Sequence, residues 1–509
     1  MMPLGFSVFC ALWLASAALA HAAAPLADAA EKADWPRVHA LLKDPAAVQS
    51  KQPDGATALH WAAYHDDAAS VRALLAAGAD AKAANQYGAT PLSLACVNGS
   101  EGVITALLDA GADAKATTNG GESALMTAAR TGRTGAVKIL LARGARVEDA
   151  DRKGQTPLMW AAADGHAVVV AQLLAAGAAR DTRVKSGFTA FLFAARQGRI
   201  EVIRTLLAAG VDANEVIVTD NDGGRKPDAG TSALLLAVEN GHFELALELV
   251  KAGADPNDQR SHFTPLHSLT WVRKPPRGDD LDGQPPPEGS GNITSLEFAR
   301  RLIAAGANVN ARLDQRATGR GRLKLNGATP LLMAAKNADL DFMKLLVELG
   351  ADASLPNQTG TTPLLAAAGL GCFAPDEEAG TEAECLEAVA WLLQLGGDVN
   401  AVDKNGETAM HGAAYKSLPK MVQFLADHGA KPEVWNQKNK SGWTPVLIAE
   451  GFRPGNFKPS HETLAALHTV MRTANLPIPP PTPRPTVEPK GYDDGTSPVP
   501  AKLKKNQAP

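Results

Sequence analysis

The chain predicts an all-α fold, a solenoid of stacked helix pairs, and three observations carry that expectation. A capping motif starts at Thr57, Thr90, Ser123, Thr156 and Thr189, each about 33 residues after the last, and returns at Ser232, Thr264, Thr329, Thr362, Thr408 and Thr444. A glycine landmark follows each start about 21 residues later, as in Gly78-Ala79-Asp80, Gly111-Ala112-Asp113, Gly210-Val211-Asp212-Ala213-Asn214 and Gly253-Ala254-Asp255-Pro256-Asn257. Between motif and landmark, apolar residues recur at helical spacing in two short runs.

The copy that starts at Thr156 shows the unit. Thr156 supplies a capping hydroxyl, and Pro157 suits the first helical turn, where its missing N–H has no partner to lose. The first helix runs through Leu158, Trp160, Ala161 and Ala162 and stops at Gly165, which tolerates the positive φ of a helix exit. His166 opens a second helix with a stripe of Val169, Leu173 and Leu174, ended by Gly177. Two such helices bury too little area alone to offset the entropy of ordering them, so neighbouring copies must stack. Paired alanines (Ala62-Ala63, Ala128-Ala129, Ala161-Ala162, Ala194-Ala195, Ala334-Ala335) allow close approach, and paired leucines (Leu74-Leu75, Leu107-Leu108, Leu140-Leu141, Leu173-Leu174, Leu206-Leu207) fill the seam.

These motifs resemble the ankyrin-repeat family, whose consensus joins a T-P-L-H turn, a helix, a glycine, a second helix and a G-A-D-x-N finger. The resemblance covers residues 52 to 450, about eleven repeats. Ala58, Ala124, Ala190, Ala233 and Ala409 replace the proline, and only His60, His267 and His411 keep the histidine, so the finger needs other hydrogen bonds in most copies. The resemblance implies an interaction scaffold with protein partners and no chemistry of its own. It also implies where a partner would touch: the finger tips and the last two residues of each first helix. By that register the contact candidates are Tyr64, His65, Tyr87, Asn98, Arg130, Asp164, Phe188, Arg196 and Glu239, with Tyr415 and Lys416 among later ones. Such a mixture of aromatic, Arg and polar groups is the composition that interface hot spots favour.

The ends differ from the array. Residues 1–22 read as a signal peptide: Phe6 to Leu19 is an apolar stretch, and Ala18-Leu19-Ala20 or Ala20-His21-Ala22 offers a small-residue cleavage site, although no Lys or Arg precedes it. Export to the bacterial periplasm, or secretion, is the expectation, with a cytoplasmic location the alternative. After cleavage no segment is apolar enough to span a membrane. Residues 23–51, with Ala29, Ala33, Val38, Leu41 and Leu42, read as a helical N-terminal cap. Residues 451–476 read as a C-terminal cap helix capped by Ser460, with Leu464, Leu467, Val470 and Met471 on its buried stripe. The Pro-rich tail, 477–509, is expected to be disordered or extended.

A net charge of -4 gives no basic footprint for nucleic acid. Cys96 occupies an alanine position of a first helix and is expected to be an inert buried thiol. Cys372 and Cys385 flank an insertion, where a disulfide would close the loop. Other insertions are Glu215 to Ala229, residues 273 to 293 and Leu313 to Asn326, the last carrying Arg316, Arg320, Arg322 and Lys324. Asp220, Asp222, Asp228, Asp279, Asp280 and Asp282 lack the alternation of a calcium loop, and the histidines lack ligand spacing. No metal, cofactor or catalytic constellation is expected, and the chain is expected to be a monomer. The competing reading is a regulatory subunit of an enzyme, or an enzyme with a hydrolytic site in the 273 to 293 insertion.

Overall fold

The computed structural model describes residues 24–219, 229–276, 285–314, 323–375, 377–453 and 458–482. The expected signal peptide, the acidic residues Asp220, Asp222, Asp228, Asp279, Asp280 and Asp282, and Arg316, Arg320 and Arg322 lie outside the described residues, as does the tail from residue 483. The described residues form two compact units, one up to Gln358 with Glu377–Gly380, the other from Thr359 onward without that segment but with Leu323.

Helix pairs fill both units. In the first they are Ala58–Tyr64 with Ala68–Ala76, Pro91–Asn98 with Glu101–Asp109, Ala124–Arg130 with Thr134–Ala142, and Pro157–Asp164 with Ala167–Ala175. Then come Ala190–Arg196 with Ile200–Ala208, Ala233–Glu239 with Phe243–Lys251, Pro265–Arg273 with Ser295–Ala304, and Pro330–Lys336 with Leu340–Glu348. The second unit holds Pro363–Ala367 with Glu382–Gln394, Ala409–Tyr415 with Pro419–Asp427, and Pro445–Ala449 with His461–Thr473. Within each unit first helices pack on first helices and second helices on second helices, giving two layers. Secondary structure other than helix is confined, among the described residues, to isolated antiparallel bridges at the bases of fingers, Thr117 with Ser123 and Val216 with Ser232.

Each helix starts and stops for local reasons. Thr156 Oγ1 accepts from Met159 N at 3.4 Å, Pro157 occupies the first turn, and Gly165 ends the helix at φ 92°. In several repeats, most of them lacking the histidine but including the one that keeps His411, the finger is held by a side-chain acceptor five positions before the cap. Asn85 Oδ1 accepts from Tyr87 N and Ala89 N at 3.0 and 2.9 Å, and Asp151 Oδ1 accepts from Lys153 N and Gln155 N at 2.8 and 2.9 Å. Thr118, Asp403 and Asn439 do the same.

The core is the seam between pairs. All five alanine pairs are fully buried. Of each leucine pair the first member (Leu74, Leu107, Leu140, Leu173, Leu206) is 0% exposed, whereas Leu75, Leu141, Leu174 and Leu207 are half-buried. One residue further turns the side chain by 100° towards the edge of the stripe, and Val170 takes the buried place expected for Leu174.

The ends need correction in detail. The N-terminal cap consists of Pro25–Glu31, Trp35–Leu41 and the single turn Pro45–Val48; Leu26, Ala29, Val38 and Val48 are buried, but Ala33 is an exposed turn residue at φ 53° and Leu41 and Leu42 are half-buried. His461–Thr473 pairs with Pro445–Ala449 and packs on Pro419–Asp427. Ser460 Oγ meets Thr463 Oγ1 at 2.8 Å instead of capping an amide, and Thr463 is buried where Leu464 is only half-buried. Pro477, Pro479, Pro480 and Pro481 line an open cleft with Val446 and Met471, so the tail begins laid over the last pair.

A ladder of asparagines joins finger bases. Asn257 Nδ2 donates to Gly306 O at 2.8 Å while its Oδ1 accepts from Asn308 N at 2.7 Å. Asn214 bridges to Gly253 O and Asp255 N, Asn310 to Gly350 O and Asp352 N, and in the second unit Asn400 to Gly429 O and Lys431 N. Replacing Asn257 by Ala removes two inter-repeat bonds and is expected to cost about 2 kcal/mol, read as a lower urea midpoint.

The retained histidines are load points of a different kind. Thr264 Oγ1 lies 2.7 Å from His267 Nδ1, and His267 Nε2 lies 3.2 Å from Ala328 O in the next finger. Burial pushes His267 and His411 down to about 4. An unfolded histidine titrates near 6.5, so below that pH the unfolded chain binds protons that the folded chain refuses. The stabilisation is complete above pH 6.5 and is lost as pH falls towards 4. At pH 5 each histidine is expected to cost about 2 kcal/mol, measurable as a falling urea midpoint from pH 7 to 5.

Candidate partner-binding face

A helix of seven or eight residues ends with four carbonyls that lack helical partners. Here amides of the following turn take most of them, and the next repeat supplies a donor for another. His166 Nε2 lies 2.8 Å from Arg130 O, Arg199 Nε donates to Ala163 O at 2.9 Å, and His242 Nε2 lies 3.2 Å from Arg196 O. Thr131 Oγ1 donates to Cys96 O at 3.3 Å, and Asn98 Nδ2 to Tyr64 O at 2.6 Å. The residues that close successive first helices are therefore held in register one against the next.

The fingers form a second row. Gln86 N donates to Asp54 O at 2.7 Å, Asn119 N to Tyr87 O at 2.9 Å and Arg152 N to Gly120 O at 3.0 Å. In the second unit Lys404 N donates to Thr359 O and Lys440 N to Asn405 O, both at 2.8 Å. Finger tips thus pair backbone to backbone, which fixes their side chains at regular intervals beside the first-helix ends. Gly187, at φ 82°, is needed where fingers meet: a Cβ there would lie 2.3 Å from Val218 O.

Profiles for ankyrin repeats match residues 26–118, 104–183, 125–217, 290–374 and 379–456 as sets of three copies, and residues 229–262 as one further copy. The chain belongs to the ankyrin-repeat family. Among curated proteins it is 34% identical over 176 residues to Neurogenic locus notch homolog protein 1 of Xenopus tropicalis, a match that takes 30% of this chain and 6% of that protein. It is 27% identical over 177 residues to Inversin of Canis lupus familiaris, covering 34% of this chain and 13% of that one. The match thus spans a small part of either relative. The human ASB11 ankyrin repeat domain is similar at 27% identity with a TM-score of 0.39, over 46% of this chain and 99% of that domain.

On this ankyrin array the contact candidates fall into three groups. Tyr64 and Tyr87 are 50% and 55% exposed, and His65 and Asp164 are exposed. Asn98, Arg130, Arg196 and Glu239 are half-buried. Asn98 is fastened to the Tyr64 carbonyl, and the Arg130 guanidinium sits 5.3 Å over the Trp160 ring. Phe188 is a correction: it is 3% exposed, its ring packs 5.0 Å from Phe193, and the Arg196 guanidinium covers it at 5.9 Å, so it supports the face from beneath. Tyr415 and Lys416 are buried too. The Tyr415 hydroxyl donates to Glu407 Oε1 at 2.9 Å and Lys416 Nζ to Cys385 Sγ at 3.4 Å. Trp35, Trp61 and Trp160, absent from the register-based set, belong to the face because candidate residues pack on them, His65 on Trp35, Tyr64 on Trp61 and the Arg130 guanidinium on Trp160.

The insertion between residues 273 and 293 is anchored at its described edges. Ser290 N donates to His242 Nδ1 at 3.0 Å, and Asn292 N to Glu244 Oε1 at 2.8 Å. Arg273, at the other edge, makes a bidentate pair with Asp339 at 2.7 and 3.0 Å. Among the described residues no group of three or more His, Cys, Asp and Glu is placed to hold a metal, and no helix is long and apolar enough to cross a membrane.

The expected bridge between Cys372 and Cys385 is not formed: both sulfurs are buried and unbridged. Cys385 sits on the helix Glu382–Gln394 and is engaged by Lys416 instead. Burial pushes the Cys96 thiol up to about 12, and an un-ionised thiol is a poor nucleophile. Labelling with a thiol-disulfide exchange reagent should leave Cys96 untouched in the native chain, slowed roughly a hundredfold or more against a free thiol. In denaturant without reductant, Cys96, Cys372 and Cys385 should all react.

Proposed function

We propose that this chain is an exported protein-binding scaffold without catalysis of its own. Its partner would lie along the row of first-helix ends and finger tips. The single observation that carries the reading is the registered face itself. Side chains of mixed aromatic and polar character stand at fixed intervals on backbone already hydrogen-bonded from repeat to repeat. A surface ordered before binding has little conformational entropy left to lose, which favours affinity. The exposed rings of Tyr64 and Tyr87 supply the large, rigid contact area that hot spots need.

Export rests on the apolar, alanine-rich start of the sequence. Mass analysis of the chain from its native producer should find a mature terminus near His21 or Ala23; an intact Met1 would refute export. For binding, a photo-cross-linker placed at Asp164 should capture a protein partner in that producer. Tyr64→Ala combined with Tyr87→Ala should lower capture at least about fivefold without moving the melting temperature. Capture unchanged by both substitutions would remove the aromatic positions from the interface.

A further inference from the structure

The first repeat and the cap before it build a corner unlike the rest of the face. Four rings meet there: His65 contacts Trp35 at 5.9 Å, Tyr64 at 5.3 Å and Trp61 at 6.3 Å between centroids, and Trp61 contacts Tyr64 at 5.9 Å. Tyr64 and His65 are exposed and the two tryptophans half-buried, so the cluster presents ring surface to solvent on a backed platform. The orientation of Trp61 is fixed, because its Nε1 donates to Gln52 Oε1 at 2.6 Å. The other end of the same amide holds two carboxylates: Gln52 Nε2 donates to Asp28 Oδ1 at 3.0 Å and to Glu31 Oε2 at 2.8 Å. His65 Nε2 meets the Glu31 carbonyl at 2.9 Å, which ties the imidazole to the same helix end.

Two negative charges are thus drawn together by a neutral side chain beside a set of electron-rich ring faces, and neither forms an ion pair with a described residue. Coulomb repulsion between them is relieved by a cation, and the face of an indole or phenol attracts the same cation through its quadrupole. An anionic ligand, including a nucleic acid or an acidic lipid surface, would be repelled by the carboxylates. A purely apolar ligand would leave them unpaired and partly desolvated, at a cost.

We propose that the corner formed by Trp35, Trp61, Tyr64, His65, Asp28 and Glu31 docks a cationic, arginine- or lysine-bearing segment of a protein partner. The inference rests on the protein-binding reading above and narrows it to one recognition chemistry at one end of the array. A guanidinium placed over Trp61 or Tyr64 keeps its N–H edge for the carboxylates, so charge and stacking select the same group.

The test uses the full chain and tryptophan fluorescence, with an alternating Gly/Arg peptide as probe and its Gly/Glu counterpart as control. The Gly/Arg peptide should bind and the Gly/Glu peptide should not, and added salt should weaken binding. Asp28→Asn with Glu31→Gln should weaken it about tenfold and Tyr64→Ala about fivefold, with circular dichroism of all variants unchanged. Equal binding of the two peptides, or a doubly neutralised variant that binds like the parent, would overturn the proposal. The cross-linking experiment separates the two claims. A partner captured equally well by the neutralised variant sinks the cationic corner and leaves the scaffold standing, whereas a parent chain that captures nothing sinks the scaffold.

Discussion

A seven-residue helix is mostly ends. It leaves four N–H and four C=O groups without helical partners; amides of the turn that follows take most of the carbonyls, and a side chain one repeat away takes another, as His166 does for Arg130. The hydroxyl at the start of most first helices takes one donor locally, and at the close one acceptor each is met by His166, Arg199, His242, Thr131 and Asn98, every one contributed by the following copy. Burial follows a similar logic, since the fully covered alanines and the first leucine of each pair lie on helices that pack both within their own pair and on the next. Order in any repeat is therefore borrowed from the repeats beside it.

That dependence also shapes the surface available to a partner. Because the groups that finish one helix come from the next copy, side chains at equivalent positions are spaced by the backbone. Finger tips are tied in the same way. Phe188 and Tyr415 show the limit of the rule: equivalent positions by count, they have turned inward to pack under Arg196 and to bond Glu407. Register fixes where a residue stands, while local packing decides which way it faces.

The period of the Thr-Pro-Leu and Gly-Ala-Asp motifs made the helix pairs, their caps and their buried alanines legible, because those features are set by short-range chemistry. Less was legible where the determinant is a partner distant in sequence. Asn214, Asn257, Asn310 and Asn400 stand in plain view as the last letter of the finger landmark, yet nothing local says that each clamps a glycine carbonyl in the next repeat. The aromatic corner was half visible: Tyr64 and His65 follow from register, but Trp35 lies in the cap and Trp61 on an ordinary helical turn, and only folding brings them together. Cys372 and Cys385 show the converse, where closeness in sequence suggested a bond that is not formed, Cys385 standing on a helix with Lys416 at its sulfur.

The asparagine clamp is unevenly distributed. Gly253, Gly306 and Gly350 are each gripped by the preceding finger, and the position equivalent to the clamp is Lys82 and Lys115 in the early copies, which offer no acceptor to bridge with. The early seams are joined instead through finger tips and first-helix ends, where Gln86 N and Asn119 N reach the preceding finger and Asn98 holds the Tyr64 carbonyl. The exposed tyrosines stand on this stretch, their own carbonyls fastened by Asn98 and Asn119 of the following copy, so the anchoring of the array there passes through the residues set out for recognition.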